Sequence, residues 1–397
     1  MIDTSRIQKN LLELLAIPSP CGFTDEIVHY ICESLIEMNV EYDLTRRGTI
    51  RAKIPGKNQD TSRGIVTHID SIGAVVRYIR DDGRMLVAPI GFWSSRFAEG
   101  ARCTLFSENR AFRATLLPQV EWGVSRDKGV DDVPVNWEQI ELRLDEPVYT
   151  KQDVRDLGVE IGDFIAFDSN PEVLDNGYII GRNLDNKAGA AAALEAIRLI
   201  KNQPEIENDT YFLFTISETI GSGSGAAVLP SVSELLTVDF ASLRSNEKSP
   251  FKRVTLATGD ASGPYDYHLT AHIEKLAVRA SIPYQKKHLK AFHSDAAAAL
   301  TAGHDVRTAV IAYAGDASHS VERTHMESLV NVVRLLMAYV TSSPTFENDD
   351  SITSVTEFSH QINEDNKPKP LKRAPHISEV LSTSESSASS DKPKGES

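Results

Sequence analysis

Two stretches in which strand-like and helix-like apolar patterns alternate, residues 1–73 and 168–341, enclose a segment in which helical periodicity all but vanishes. That arrangement predicts a discontinuous α/β domain, a mostly parallel sheet flanked by helices, with an inserted β-rich domain at 74–167. In the first stretch Leu11, Leu12, Leu14 and Leu15 precede Pro18, and Thr24 can cap a second helix with Ile27, Ile31 and Leu35 on one face. Ile50, Ala52 and Ile54 alternate like a strand, and Gly64-Ile65-Val66 runs into Thr67-His68-Ile69-Asp70, which puts His68 at a strand end. Between Ala74 and Phe167 short apolar runs are broken by Asp82-Gly83, Glu99-Gly100, Leu117-Pro118 and Ile161-Gly162. Alternation then resumes with an alanine-rich helix near Asn186–Lys201 and strands at Tyr211–Ile216 and near Val238. A helix at Tyr267–Ala280, a strand at Arg307–Ala312 and a last helix carrying Met326, Leu329, Val333, Leu336 and Val340 complete it. Residues 342–397 are rich in Ser, Asp, Glu, Lys and Pro, too poor in apolar surface to offset ordering entropy, and are expected to form a disordered tail.

A net charge of -14 argues against nucleic acid and acidic lipid as partners, because phosphate binding needs clustered Lys and Arg. Cys21, Cys32 and Cys103 are odd in number and show no CxxC spacing, so neither a disulfide framework nor a thiolate zinc site is indicated. No basic leader followed by a long apolar run opens the chain, and no later segment reaches about 18 consecutive apolar residues. The expectation is a soluble cytoplasmic protein, not bound to membrane, with a small-molecule or peptide partner.

Ligands gather where the strands of an open α/β sheet end, and the candidate chemistry lies at such places. His68-Ile69-Asp70 puts two side chains on the same side of the sheet, one able to ligate a metal and the other to orient it; alone, such a pair is more often merely hydrogen-bonded at a strand end. Asp185, just before the alanine-rich helix, can bridge two cations, while an N-cap role for Asp185 or Asn186 is equally natural. Glu218 follows the apolar run Tyr211–Ile216 and precedes Gly221, Gly223 and Gly225, where a carboxylate without a partner is costly. Asp239 is a further strand-exit candidate, and His319 and His325 flank Glu322 ahead of the last helix. His319 is the favoured ligand there and His325 an ordinary hydrogen-bonded residue.

Taken in order, Leu-Leu-Ala-Ile-Pro-Ser-Pro, His-Ile-Asp-Ser-Ile-Gly, Leu-Asp-Asn-Lys-Ala-Gly, Glu-Thr-Ile-Gly and Ser-His-Ser-Val-Glu resemble the co-catalytic metallopeptidases of the glutamyl and deblocking aminopeptidase family, the forty-second metallopeptidase family. The resemblance covers nearly everything before the tail. More narrowly, Arg-Arg-Gly-Thr-Ile-Arg-Ala, Trp-Ser-Ser-Arg-Phe-Ala-Glu-Gly-Ala-Arg, Gly-Pro-Tyr-Asp-Tyr-His-Leu, Ser-Asp-Ala-Ala and Ala-Gly-His-Asp-Val-Arg-Thr-Ala resemble the branch found with synthesis of the osmoprotectant N-acetylglutaminylglutamine amide. The resemblance implies a zinc-exopeptidase-like fold and a homo-oligomer. It implies one or two divalent ions, zinc, cobalt or manganese, with Asp185 bridging, His68 and Asp239 completing one site and His319 part of the other. Asp70 would support His68, and Glu218 would act as general base. Where the family usually has a second Glu after the base, this chain has Thr219, so the second site keeps only Asp185 and His319 as strong donors and should bind its ion weakly. The activity so implied is exopeptidase hydrolysis of a small peptide or an acylated or amidated dipeptide. A deacylase of N-acyl amino acids or dipeptides, and a catalytically impaired assembly subunit, are the alternatives.

Overall fold

The computed structural model describes residues 1–119, 134–203, 206–242, 250–290 and 292–346. Four strands run parallel at the centre of one large sheet: Asn208–Thr215, Asn58–His68, Val232–Ser242 and Arg307–Asp316, in that spatial order. The middle of each is covered on both faces, so Ile65, Val66, Phe212, Phe214, Leu235, Val238 and Ile311 are all buried. The margins are antiparallel: Ile50–Ile54 pairs with Asn208–Thr215 on one side, and Glu322–His325 and Val254–Asp260 pair with Arg307–Asp316 on the other. Mixed order at the margins is common in large sheets, and here the strands that flank the parallel centre run antiparallel to it.

The alanine-rich helix, Leu184–Ile200, lies against the central strands and packs between helices Thr4–Ala16 and Met326–Val340. Its small side chains allow that three-sided approach, and Ala188, Ala190–Ala193 and Ala196 are inaccessible to solvent. At Gly189 a Cβ would stand 2.2 Å from Asn186 Oδ1 and 3.0 Å from Thr67 Oγ1, so the strand ending at His68 and this helix are in contact through a glycine. Leu11, Leu14, Leu329 and Leu336 complete the layer, and burying each such side chain stabilises the fold by about 1.5–3 kcal/mol.

Between Gly73 and Phe167 six strands close an antiparallel barrel, in the order Gly73–Ile79, Met85–Ile90, Ile140–Leu144, Ala111–Pro118, Arg102–Phe106 and Phe164–Phe167. Its alternating inward residues, among them Val76, Val87, Leu105, Phe112, Leu116 and Leu142, make a separate core.

Ser342–Phe346, which the composition assigns to the tail, are held against the sheet. Buried Arg63 donates to the carbonyls of Tyr339, Ser342 and Ser343 and to Glu234, whose other oxygen accepts the Thr345 N–H. A buried guanidinium needs acceptors wherever the chain can supply them, and composition does not report that demand. The rest of the expected tail, from residue 347, lies outside the described residues. Among those described, no helix is long and apolar enough to cross a membrane.

Candidate metal centre

The register of the parallel strands sets Thr215 beside His68 and Asp239 beside Ala312, so their carboxyl ends open together onto a cavity of about 1150 Å³. His68 is the last residue of its strand, and its ring is buried. Its Nδ1 lies 3.0 Å from the Asp70 carbonyl oxygen. A carbonyl only accepts, so Nδ1 carries a proton and Nε2 is the atom left to face a cation. Nε2 stands 3.3 Å from Asp185 Oδ1 and 3.5 Å from Glu218 Oε2.

Asp70 orients His68 through its main chain; its carboxylate, 3.6 Å from Nδ1, has another task. Fully buried, it accepts the N–H groups of Glu218 and Thr219, each at 3.2 Å, and the Thr219 hydroxyl at 2.7 Å. Thr219 thus faces Asp70, and the Asp70 carboxylate fixes the turn that presents Glu218.

Asp185 sits at the start of the alanine-rich helix, yet the cap position is Asn183, which makes no side-chain cap bond. Asp185 Oδ1 faces His68, while Oδ2 accepts the Ser318 hydroxyl at 2.9 Å and lies 3.9 Å from His319 Nε2. The Asp185 carboxylate therefore stands between the two imidazoles. Asn186 turns inward instead, donating to Thr67 Oγ1 and the Val238 carbonyl and so tying two strands together. Asp239 is buried in its strand; Oδ1 accepts the Phe240 N–H, and Oδ2 has no hydrogen-bond partner. A buried carboxylate oxygen left without a donor is what a cation would satisfy.

His319 adopts a left-handed backbone, φ 67°, and is held from two sides. Its N–H donates to Glu322 Oε1 at 2.9 Å and its Nδ1 lies 3.2 Å from the carbonyl of Phe92, a residue contributed from beside the barrel. Glu322 also accepts the Asp185 N–H at 2.9 Å, so one buried carboxylate fixes the backbone of both residues. His325 lies away from the cavity: it bonds the Asn176 carbonyl and accepts the Glu327 N–H at the start of the last helix.

Ligand atoms of His68, Glu218 and Asp239 lie within 4.8 Å of one another, with Asp185 against the same imidazole. Burial, and the carboxylates of Asp185 and Asp295 among others, push Glu218 and Asp239 well above the usual carboxylate range. Burial also disfavours the charged forms of Asp185 and His68, but their contact outweighs it: Asp185 is lowered, and His68, facing Glu218 and Asp185, is raised well above an ordinary imidazole. With its carboxylates ionised the cluster would hold more buried negative charge than one imidazolium can balance, and a divalent cation would supply the missing charge. Mixed nitrogen and oxygen donors with an orphaned oxygen fit zinc, cobalt or manganese.

Asp295, Glu322 and Ser318 lie in the quoted motifs, but sequence reasoning gave them no role in the site, and it did not single out Phe92. Asp295, fully buried, accepts the Thr215 hydroxyl at 2.8 Å beside the centre, and burial raises it to about 6. It opens a short helix after Ser294, where an acidic residue reads as helix-terminal decoration.

The sequence profile of the family described as M42 glutamyl aminopeptidase matches residues 48–335. YhfE of Bacillus subtilis (strain 168), named a candidate aminopeptidase, is 35% identical over 345 residues, covering 86% of this chain and 99% of its own. The aminopeptidase APDkam598 from the archaeon Desulfurococcus kamchatkensis superposes with a TM-score of 0.78 at 18% identity, covering 93% of this chain and 99% of that one. The TET1 peptidase of Pyrococcus horikoshii, described as able to assemble into a tetrahedron or a large octahedral shell, gives 0.75 at 21% identity, covering 85% and 100%. At those identities the structural likeness speaks for the fold.

Proposed function

The chain belongs to the M42 glutamyl aminopeptidase family, and from that membership we propose that it releases the amino-terminal residue of short peptides at a centre held by His68, Asp185, Asp239 and His319, with Glu218 as general base. Membership makes the chain a metal-dependent aminopeptidase; the roles of the residues are our reading of the geometry. The observation that carries it is the meeting of His68, Glu218 and Asp239 within 4.8 Å, with Asp185 placed between His68 and His319. Zinc, cobalt or manganese bound there supplies Lewis-acid polarisation of the scissile carbonyl and acidifies water.

The chain's own residues do the rest. The Glu218 carboxylate faces the cavity on a turn pinned by Asp70, where it takes a proton from the attacking water and returns it to the leaving amine. Ser318 holds Asp185 in place through its hydroxyl, and Glu322 holds the backbones of Asp185 and His319. The second position, faced by Asp185 and His319, receives no carboxylate from position 219, where the Thr219 hydroxyl is committed to Asp70, which supports weak binding of a second ion there.

We assign the substrate to short peptides with a free amino terminus, among them glutamine dipeptides of an osmoprotectant system that the sequence segments around Tyr265 and Asp295 suggest. The buried, unpaired Cys21, Cys32 and Cys103 suit a reducing cytoplasm, and assembly of copies, as described for the TET1 peptidase, is part of the same reading.

Glu218→Gln tests it. As the base, its loss lowers kcat by about 10²–10⁴-fold with cation content unchanged by elemental analysis; equal loss of cation would make Glu218 a ligand, and retained turnover would remove it from the mechanism.

A further inference from the structure

The cavity is electrically two-ended. Among the described residues, apart from Asp185, Glu218, Asp239 and His319 of the centre, each ionisable side chain lining it is basic: Lys287, His288, Lys290 and His293. In a chain of net charge -14 this is a local reversal. We propose that this basic wall binds a substrate carboxylate on the leaving-group side of the scissile bond, so that the enzyme selects short peptides ending in a free carboxylate. The inference rests on the peptidase reading above and narrows its substrate class.

Spacing supports the assignment. The wall belongs to the strand Tyr284–His288 and the segment after it; that strand pairs with Val254–Asp260, which pairs with Arg307–Asp316, which pairs with the strand carrying Asp239. Three steps of about 4.8 Å place it roughly 14 Å from Asp239's strand. Extended peptide covers at most about 3.3–3.6 Å per residue, so about four residues are needed to span that strand-to-strand gap, and fewer suffice to reach the ammonium and imidazole heads that line the cavity between. The substrate's amino terminus is drawn to the acidic end, beside the scissile bond. What meets the basic end is the terminus of a peptide two to four residues long, whose opposed charges match those of the cavity.

The wall is also pre-formed. Gly259 pairs with His288 so closely that a Cβ there would stand 2.8 Å from the ring, and the Leu289 N–H donates to the Gly259 carbonyl. Phe292 N–H donates to Leu289 and its carbonyl accepts the Ala261 N–H. Buried Asp260 accepts the N–H and hydroxyl of Ser294 and the Tyr265 hydroxyl, anchoring the far end. His288 and His293 can donate an N–H to a carboxylate in either protonation state.

The test compares trialanine, trialanine amide and Glu-Ala-Ala amide on cation-loaded wild-type protein and on Lys290→Gln/His293→Gln, with Lys290→Arg as the charge-retaining control. Expected is a kcat/KM for trialanine about tenfold above its amide, the scale of one desolvated charge contact, carried mainly by KM. The ratio should fall towards one in the double variant and persist in Lys290→Arg. Equal use of acid and amide by the wild type, or an unchanged ratio in the double variant, overturns the proposal. So does Glu-Ala-Ala amide matching trialanine, which would assign the wall to an acidic first side chain. Should none be hydrolysed, calorimetry of the same peptides on the same protein decides: tighter binding of acid than amide keeps the wall and discards the peptidase reading, and equal binding discards the wall.

Discussion

Replacing Thr219 by valine removes one hydroxyl from the structure and nearly nothing else, which makes it a clean probe of the turn that presents Glu218. Thr219 is buried, and its hydroxyl makes the shortest of the three hydrogen bonds to the Asp70 carboxylate, 2.7 Å against 3.2 Å for each backbone N–H. Hydrogen bonds to a charged, desolvated acceptor are worth about 1.5–3 kcal/mol, and because two donors remain the loss should lie near the lower end, about 2 kcal/mol. In a chain of this size that lowers Tm by roughly 2–3 °C. Thermal unfolding should be followed after chelation, since a bound cation stabilises the folded state by mass action and would mask the change. On the loaded enzyme kcat should fall with little change in KM, because the positioning of the base is lost and not the binding of peptide. Thr219→Glu should behave differently: a second carboxylate facing buried Asp70 repels it, so the chelated variant should be less stable than Thr219→Val and should regain stability on adding zinc. A Thr219→Val protein with wild-type Tm and kcat would show that the hydroxyl does not support Asp70, and the account of the turn would fail.

Two further predictions concern protons. Glu218, Asp239 and His68 are all held well above their ordinary values when no cation is bound, so protons and cation compete for the centre and binding releases protons. Apparent zinc affinity should therefore rise with pH across the neutral range, and calorimetry in buffers of different ionisation enthalpy should register proton release; no dependence on buffer or pH would contradict the buried cluster. Asp295 is raised by burial to about 6, so the folded state binds its proton more tightly than the unfolded chain does. Its contribution is neutral below the ordinary carboxylate range, becomes destabilising as the pH rises from about 4 to about 6, and is constant above that. At roughly 1.4 kcal/mol per pH unit, Asp295→Asn should gain about 3 kcal/mol relative to wild type between pH 4 and pH 8 in chelated protein. Parallel stability curves for the two proteins would refute this.

Much of the site was legible because strand period and chain order constrain it. His68 had to end a strand, since Gly64-Ile65-Val66 is apolar without interruption and the polar residues begin after it. Glu218 followed from the same logic at the end of Asn208–Thr215. The double reading of Asp185, cap or ligand, could not be resolved from its neighbours, because the cap position depends on the left-handed turn at Asn183 that no pattern of side chains announces. Asp70 was expected to act on the imidazole through its carboxylate; its carbonyl does so, which depends on backbone direction after the strand. Thr219 was legible only as a departure from a ligand pattern, and its bond to Asp70 is a tertiary contact across 149 residues of sequence separation. Phe92, Glu322 and the basic wall enter by approach of distant segments, and the antiparallel margins of the sheet depend on pairings that hydrophobic period does not encode. The helix-free texture between Ala74 and Phe167 was readable as β structure, but the closure of its six strands into a barrel was not.

Side chains from four separated segments, those of His68, Asp185, Asp239 and His319, are proposed to hold a divalent cation at the ends of the parallel strands, with Glu218 beside it. Anomalous diffraction at the zinc edge from crystals of zinc-loaded protein tests it most directly. The expected peak is bonded to His68 Nε2, Asp239 Oδ2 and an Asp185 oxygen, with any weaker second peak between Asp185 and His319. A strong peak elsewhere, or zinc-saturated crystals with none at these atoms, would contradict it.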